Sequence, residues 1–136
     1  MTQPFTITAV HHVTLTVSDV ARSADFYTRH LGFQVLLDLG GTRRILGNGH
    51  VVLAVTLPSD QAAPIPAGDR FSENRVGLDH VSFGLSSRAE LEAAAAYFDE
   101  QGIIRGEIRD LGPGLGIYVM AFRDPDNIQL EMTAPH

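Results

Sequence analysis

The sequence predicts an α+β fold made of one βαβββ module written twice. Three observations carry this reading. A strand-like segment, His12-Val-Thr-Leu-Thr-Val-Ser-Asp19, returns 68 residues later as His80-Val-Ser-Phe-Gly-Leu-Ser-Ser87, a separation of half the 136-residue chain. Polar or small residues alternate with apolar ones in both copies, the period of a strand buried on one face. Each copy is then followed by a helix signal and three further strand-like runs, and such a repeat sets the architecture of the whole chain.

In the first strand His12, Thr14 and Thr16 share one face and Val13, Leu15 and Val17 the other. Ser18 or Asp19 caps a helix whose apolar positions Val20, Ala24, Tyr27 and Leu31 fall at helical spacing, and Gly32 stops it. Tyr27 is expected to pack this helix. Strands are predicted at Phe33–Leu39, Thr42–Gly47 and His50–Leu57, with Asn48-Gly49 as a two-residue hairpin turn. A linker rich in Pro, Asp and Ala occupies 58–77.

The second copy sets His80, Ser82 and Gly84 against Val81, Phe83 and Leu85. Ser87 and Glu90 form a capping-box pattern, Leu91, Ala95 and Phe98 share a helix face, and Gly102 is the stop. The Ala93–Ala96 run reads as helix. Strands follow at Ile104–Leu111, Gly116–Arg123 and Ile128–Ala134, with the turn Asp124-Pro-Asp-Asn127 between the last two. The expected organisation is therefore a single domain, 1–136, with modules at 5–57 and 78–134.

Composition removes whole classes of chemistry. The chain has no Cys, which excludes disulfides, thiolate nucleophiles and thiolate metal sites. It also has no Lys, so all ten basic residues are Arg, and both the lysine of a phosphate-binding loop and Schiff-base catalysis are ruled out. A formal charge of −6 argues against nucleic acid and anionic membrane as partners. No apolar run is long enough to span a bilayer, and Met1 to Val10 lack the features of a secretory signal, so the cytoplasm is the expected location.

The final strand places Leu130 and Met132 toward a helix and turns Gln129, Glu131 and Thr133 to the other side. If the sheet curls, His12, His80 and Glu131 share its polar face. Two imidazoles and a carboxylate with open positions suit Fe, Mn, Ni, Co or Zn, and argue against an all-oxygen Ca or Mg site. Taken singly, a strand histidine is more often structural and a glutamate near the end of a chain more often solvated. Two histidines at equivalent repeat positions, joined by a glutamate between Leu and Met, make a stronger pattern. His11 falls on the apolar side by alternation, and His30, His50 and His136 are expected to face solvent.

These residues resemble the vicinal oxygen chelate superfamily, which includes glyoxalase I, extradiol dioxygenases, methylmalonyl-CoA epimerase, fosfomycin-resistance thiol transferases and bleomycin-resistance proteins. The resemblance rests on the His12–Asp19 segment, Asp25-Phe-Tyr27, Leu31-Gly-Phe33, Gly77-Leu-Asp-His80-Val, Phe122-Arg-Asp-Pro-Asp-Asn127 and Gln129-Leu-Glu131. It implies paired modules forming a curved, cup-like mixed sheet with helices outside and a divalent metal on His12, His80 and Glu131. In similar two-module proteins the cup is often completed by dimerisation, with ligands from two chains in one site, so a homodimer is expected, with each site completed by one chain or by two, and a small substrate chelated through neighbouring oxygens. Departures from the family pattern matter as well. Ala54 stands where enzymes similar to glyoxalase I carry a fourth ligand, and Ala121 where extradiol dioxygenases and the fosfomycin enzymes carry a tyrosine.

The resemblance thus leaves a metal-dependent dioxygenase-like or lyase/isomerase-like enzyme, with a metal-free protein that sequesters a cationic drug as the alternative. If Asn48-Gly49 is a two-residue turn, Arg43 lies across from Ala54, where it would anchor a substrate carboxylate or enolate; the alternative is a solvent-facing strand arginine. Arg44 and Arg123 read as surface or structural residues. Tyr118 belongs to core or cup according to a strand parity that the pattern leaves open.

Overall fold

The computed structural model describes residues 3–60 and 62–136, so Met1 and Thr2 of the signal reading and Gln61 of the linker lie outside the described residues. By its contacts the chain divides into two compact units, Met1–Pro66 and Ala67–His136. Each carries one four-stranded mixed sheet and one helix.

In the first unit, β1 (Val13–Thr16) is followed by α1 (Val20–Leu31), β2 (Gln34–Leu39), β3 (Arg43–Gly47) and β4 (Val52–Thr56), and the sheet order is β1-β4-β3-β2. The β1–β4 pair is parallel and the others antiparallel, because the helix returns the chain to the far edge and hairpins then fill the sheet. Asp19 is the N-cap of α1: its carboxylate accepts from the Arg22 N–H at 3.0 Å, while Gly32 closes the other end at φ +74°. Tyr27 is fully buried, edge-on to Phe26 and Phe33, above Leu15, Val17, Leu46, Leu53 and Val55.

The second unit repeats the plan with β5 (Val81–Gly84), α2 (Arg88–Gln101), β6 (Arg109–Asp110), β7 (Ile117–Arg123) and β8 (Gln129–Pro135), in the order β5-β8-β7-β6. Ser87 caps α2 by accepting from Glu90 N–H, while the Glu90 carboxylate reaches back to Ser86 N–H, one residue earlier than a capping box requires. Phe98 packs against Phe122 with ring centroids 4.7 Å apart and planes tilted by 37°, in a core with Leu91, Met120 and Leu130.

Two sequence expectations need correction. The turn at 48 is a four-residue loop, not a two-residue one: Asn48 N–H bonds Val51 O, and the Asn48 side chain accepts from the N–H groups of His50 and Val51. Gly47 therefore pairs with Val52, and Arg43 pairs with Thr56 rather than Ala54, whose partner is Ile45. Lengthening the loop by two keeps the face and moves the rung. The run Ile104–Leu111 is mostly not strand. Arg105 bridges Phe122, and regular pairing resumes only at Arg109–Val119, one residue out of step. β2 carries the same defect between Val35 and Leu37, so each module has a bulge shortly after its helix.

Candidate metal centre

The second unit builds a polar patch on the side of its sheet away from α2. The register Ser82↔Glu131 and Gly84↔Thr133, with Ala121 across from Glu131, puts these residues on one face. Leu130 and Met132 point the other way, into the core. Glu131 is half-buried, and its Oε1 lies 3.6 Å from Nε2 of His80. Thr133 Oγ1 approaches the same Oε1 at 3.3 Å and is itself hydrogen-bonded to Ser82. The other imidazole nitrogen of His80, Nδ1, is 2.7 Å from the Asp79 carboxylate.

His80 precedes β5, so its ring and the side chain of Asp79 are not bound to opposite faces of a strand and can meet. Asp79 is held in turn by Gln129, whose amide donates to its carboxylate at 2.8 Å and to its main-chain oxygen at 3.1 Å. Beyond Gln129 lies Arg123, which bonds Gln129 Oε1 at 3.3 Å and grips Glu73 with two bonds of 2.8 and 2.9 Å. The Arg123 guanidinium holds the Glu73 carboxyl down to about 2. Segment 71–74, part of the expected linker, is thereby fastened to the β7–β8 turn, where Phe71 N–H also bonds Asp126 O and Asn127 Nδ2 donates to Phe71 O.

In the first unit His12 occupies the repeat-equivalent place just before β1, with an exposed ring. Its Nδ1 is 2.8 Å from Nδ1 of His11, so the residue before the repeated histidine contacts its Nδ1 in both modules. His11 is therefore exposed and paired with His12 rather than turned to the apolar face. Among the described residues of one chain, no group of three or more His, Asp or Glu stands close enough together to hold an ion. The structure brings His80 and Glu131 together within one unit, and His12 belongs to the other.

Arg43 lines an open pocket of about 390 Å³ with Thr42, Thr56, Ser59, Leu39 and Leu57. Its Nε donates to Thr56 Oγ1 at 3.3 Å, and no acidic side chain pairs with it among the described residues. It shares a face with Ile45 and Ala54, but stands two rungs farther along than the Ala54 pair. Arg44, on the opposite face, pairs with Asp38 at 3.2 Å. Tyr118 faces α2: Arg88 lies 4.8 Å over its ring and His136 stacks against it at 4.7 Å. His136 also bonds Asp110, and His30 is partly covered by Phe26, so neither is a bare surface histidine.

Alternation puts Gln129 on the face of Glu131, but it does not place Asp79 or His11 at the site, because it separates neighbours onto opposite faces. The available signal was positional: His11 and Asp79 fill the same place in the repeat, immediately before the paired histidines.

A model of the glyoxalase/bleomycin resistance protein/dioxygenase superfamily matches residues 9–132. The catechol-2,3-dioxygenase of Bacillus subtilis is 30% identical over 127 residues, 93% of this chain, and the chain spans 41% of that protein's length. The metallothiol transferase FosB of Staphylococcus epidermidis is 29% identical over 128 residues, covering 93% of this chain and 83% of that protein. The solved glyoxylase/bleomycin resistance protein/dioxygenase domain from Frankia sp. EAN1pec superposes with a TM-score of 0.79 at 28% identity, over 96% of this chain and 100% of its own.

Proposed function

Because the chain belongs to the glyoxalase/bleomycin resistance protein/dioxygenase superfamily, we propose that it is a metal-dependent enzyme acting on a small substrate with neighbouring oxygens. The ligands are His12, His80 and Glu131. The observation that carries this reading is the 3.6 Å approach of His80 Nε2 to Glu131 Oε1, with His80 Nδ1 already engaged by Asp79. An imidazole and a carboxylate converging at this spacing form a donor pair suited to Fe, Mn, Ni, Co or Zn. A divalent ion bound there supplies a Lewis acid for charge that develops on two substrate oxygens.

The protein's own residues do the rest. Thr133 and Ser82 orient the Glu131 carboxylate, and Asp79 orients His80. Arg43 offers its terminal guanidinium nitrogens to a substrate carboxylate or enolate. Its rung lies four residues along the strands from His12, roughly 13 Å at the ~3.3 Å rise of a strand, and it stands two strands across from β1, so it would hold the far end of an elongated substrate rather than the chelated oxygens. Ala54 contributes no fourth ligand, which leaves a three-ligand site and departs from glyoxalase I; Ala121, in place of a substrate-binding tyrosine, departs from the extradiol dioxygenases and fosfomycin enzymes, so the reaction is dioxygenase-like or lyase/isomerase-like without matching any one of them.

The two names among the relatives, a catechol dioxygenase and a metallothiol transferase, support metal chemistry of this kind. Metal analysis of protein purified without chelators, repeated on His80→Ala, tests the reading. The expected result is metal in the wild type and its loss in the variant. Metal-free protein in both samples would contradict it and favour sequestration of a cationic drug, for which the −6 charge is suited. After anaerobic Fe(II) loading, oxygen uptake with catechols separates a dioxygenase from a lyase or isomerase.

A further inference from the structure

We propose that Asp79, Gln129 and Arg123 are positioning residues that fix His80 in the tautomer carrying its proton on Nδ1, leaving the Nε2 lone pair aimed at Glu131. This rests on the metal-site reading above and adds three residues that act through His80.

A guanidinium has only donors and an ionised carboxylate only acceptors, so the direction of the chain is forced from both ends. Arg123, clamped by two bonds to Glu73 and a third to Asn127 O at 3.2 Å, must donate to whatever it meets on Gln129. It meets the carbonyl oxygen, Oε1, and this fixes the amide so that Nε2 faces Asp79. That nitrogen donates twice, to the carboxylate and to the main-chain oxygen of the same residue. Asp79 is thereby pinned although its side chain is 64% exposed.

The pinned carboxylate can only accept, so Nδ1 of His80, 2.7 Å away, must carry the proton. In a neutral imidazole the other nitrogen is then an acceptor. It faces Glu131 Oε1, also an acceptor, at 3.6 Å. Two acceptors turned toward each other are bridged by a cation, either a second proton on the imidazole or a divalent metal ion. The first module differs at the same place, because His12 meets an imidazole in His11, and two neutral imidazoles can share a proton in either direction. The directional chain belongs to the second module alone.

The test is long-range ¹⁵N NMR of histidine side chains in metal-free full-length protein kept in chelator, at a pH where imidazole is neutral. His80 is assigned by the signal missing from His80→Ala. The wild type is expected to show the Nδ1–H form. Asp79→Ala should move His80 toward the Nε2–H form, and Asp79→Asn, whose Oδ1 still accepts, should restore Nδ1–H. Gln129→Met should give an intermediate shift. An Nε2–H His80 in the wild type, or an unchanged tautomer in Asp79→Ala, would overturn the proposal.

Affinity for Mn(II) should fall about 10–100-fold in Asp79→Ala and recover in Asp79→Asn. The two readings fail separately. A wild type that keeps the Nδ1–H tautomer but binds no metal contradicts the metal-site reading and leaves the positioning chain standing. Tight metal binding with His80 indifferent to Asp79 contradicts the positioning chain alone.

Discussion

Glu73 shows how one ion pair ties acid stability to the patch around His80. Its carboxyl is held at about 2, below the ordinary 4.5, chiefly by hydrogen bonds from Arg123. A carboxyl depressed on folding contributes stability that is complete above its unfolded value and lost as pH falls through its folded one. The contribution of this pair should thus fade from about pH 4.5 to about pH 2. Thermal unfolding of wild type and Glu73→Gln should show a gap at neutral pH that closes across that window, and a gap constant with pH would contradict the assignment. Arg43 gives a second prediction at this scale. Arg43→Ala should weaken binding of a carboxylate substrate analogue about tenfold, the usual worth of a hydrogen bond to a charged group, whereas unchanged affinity would leave it a solvent-facing strand arginine.

The elements were legible wherever a local rule acts alone. Both helices start at side-chain caps, Asp19 and Ser87, and end at left-handed glycines, Gly32 and Gly102; Ser87 and both glycines were readable, and Asp19 was one of two candidates with Ser18, because capping is decided within a few residues. Asp19→Ala and Ser87→Ala should each cost about 1 kcal/mol in chemical denaturation; no change in either would mean that the caps are incidental. The hairpin between β3 and β4 was misread because the Asn48 side chain bonds two backbone N–H groups and opens the turn to four residues. Parity survived, so Arg43 kept its face, but the rung did not. The run after α2 was overread as strand because Arg105 is drawn to Asp99 by two 2.8 Å bonds and the backbone slips a residue before pairing again at Arg109. At the site, alternation along β8 placed Glu131 on the polar face and the repeat marked His80, while Asp79 was not legible, because both it and His80 lie just before β5, where the period no longer separates neighbours.

Considered as a whole, the chain exposes more apolar surface than its two small cores require. Val35, Leu36 and Leu37 stand open on the edge strand β2, Phe5, Ile7 and Val10 precede β1, and Ile104 and Leu115 are open in the second unit. Contiguous apolar edges of this kind are usually covered by a partner. We propose that the partner is a second copy, and that each metal site takes His12 from one chain and His80 with Glu131 from the other. Sedimentation should give about twice the 14.7 kDa chain mass, and Leu37→Asp, which charges the open edge, should shift it toward monomer. A wild-type monomer would contradict the shared site.

Mixing two damaged chains tests the three-ligand, two-chain site most directly. His12→Ala and His80→Ala are each expected to bind no metal as pure dimers. After subunit exchange, every mixed dimer should hold one intact site, with His12 from one variant and His80 and Glu131 from the other. Random exchange makes half the dimers mixed, so the mixture should recover about a quarter of wild-type metal. Metal in the exchanged mixture no higher than in the two parents would contradict the account.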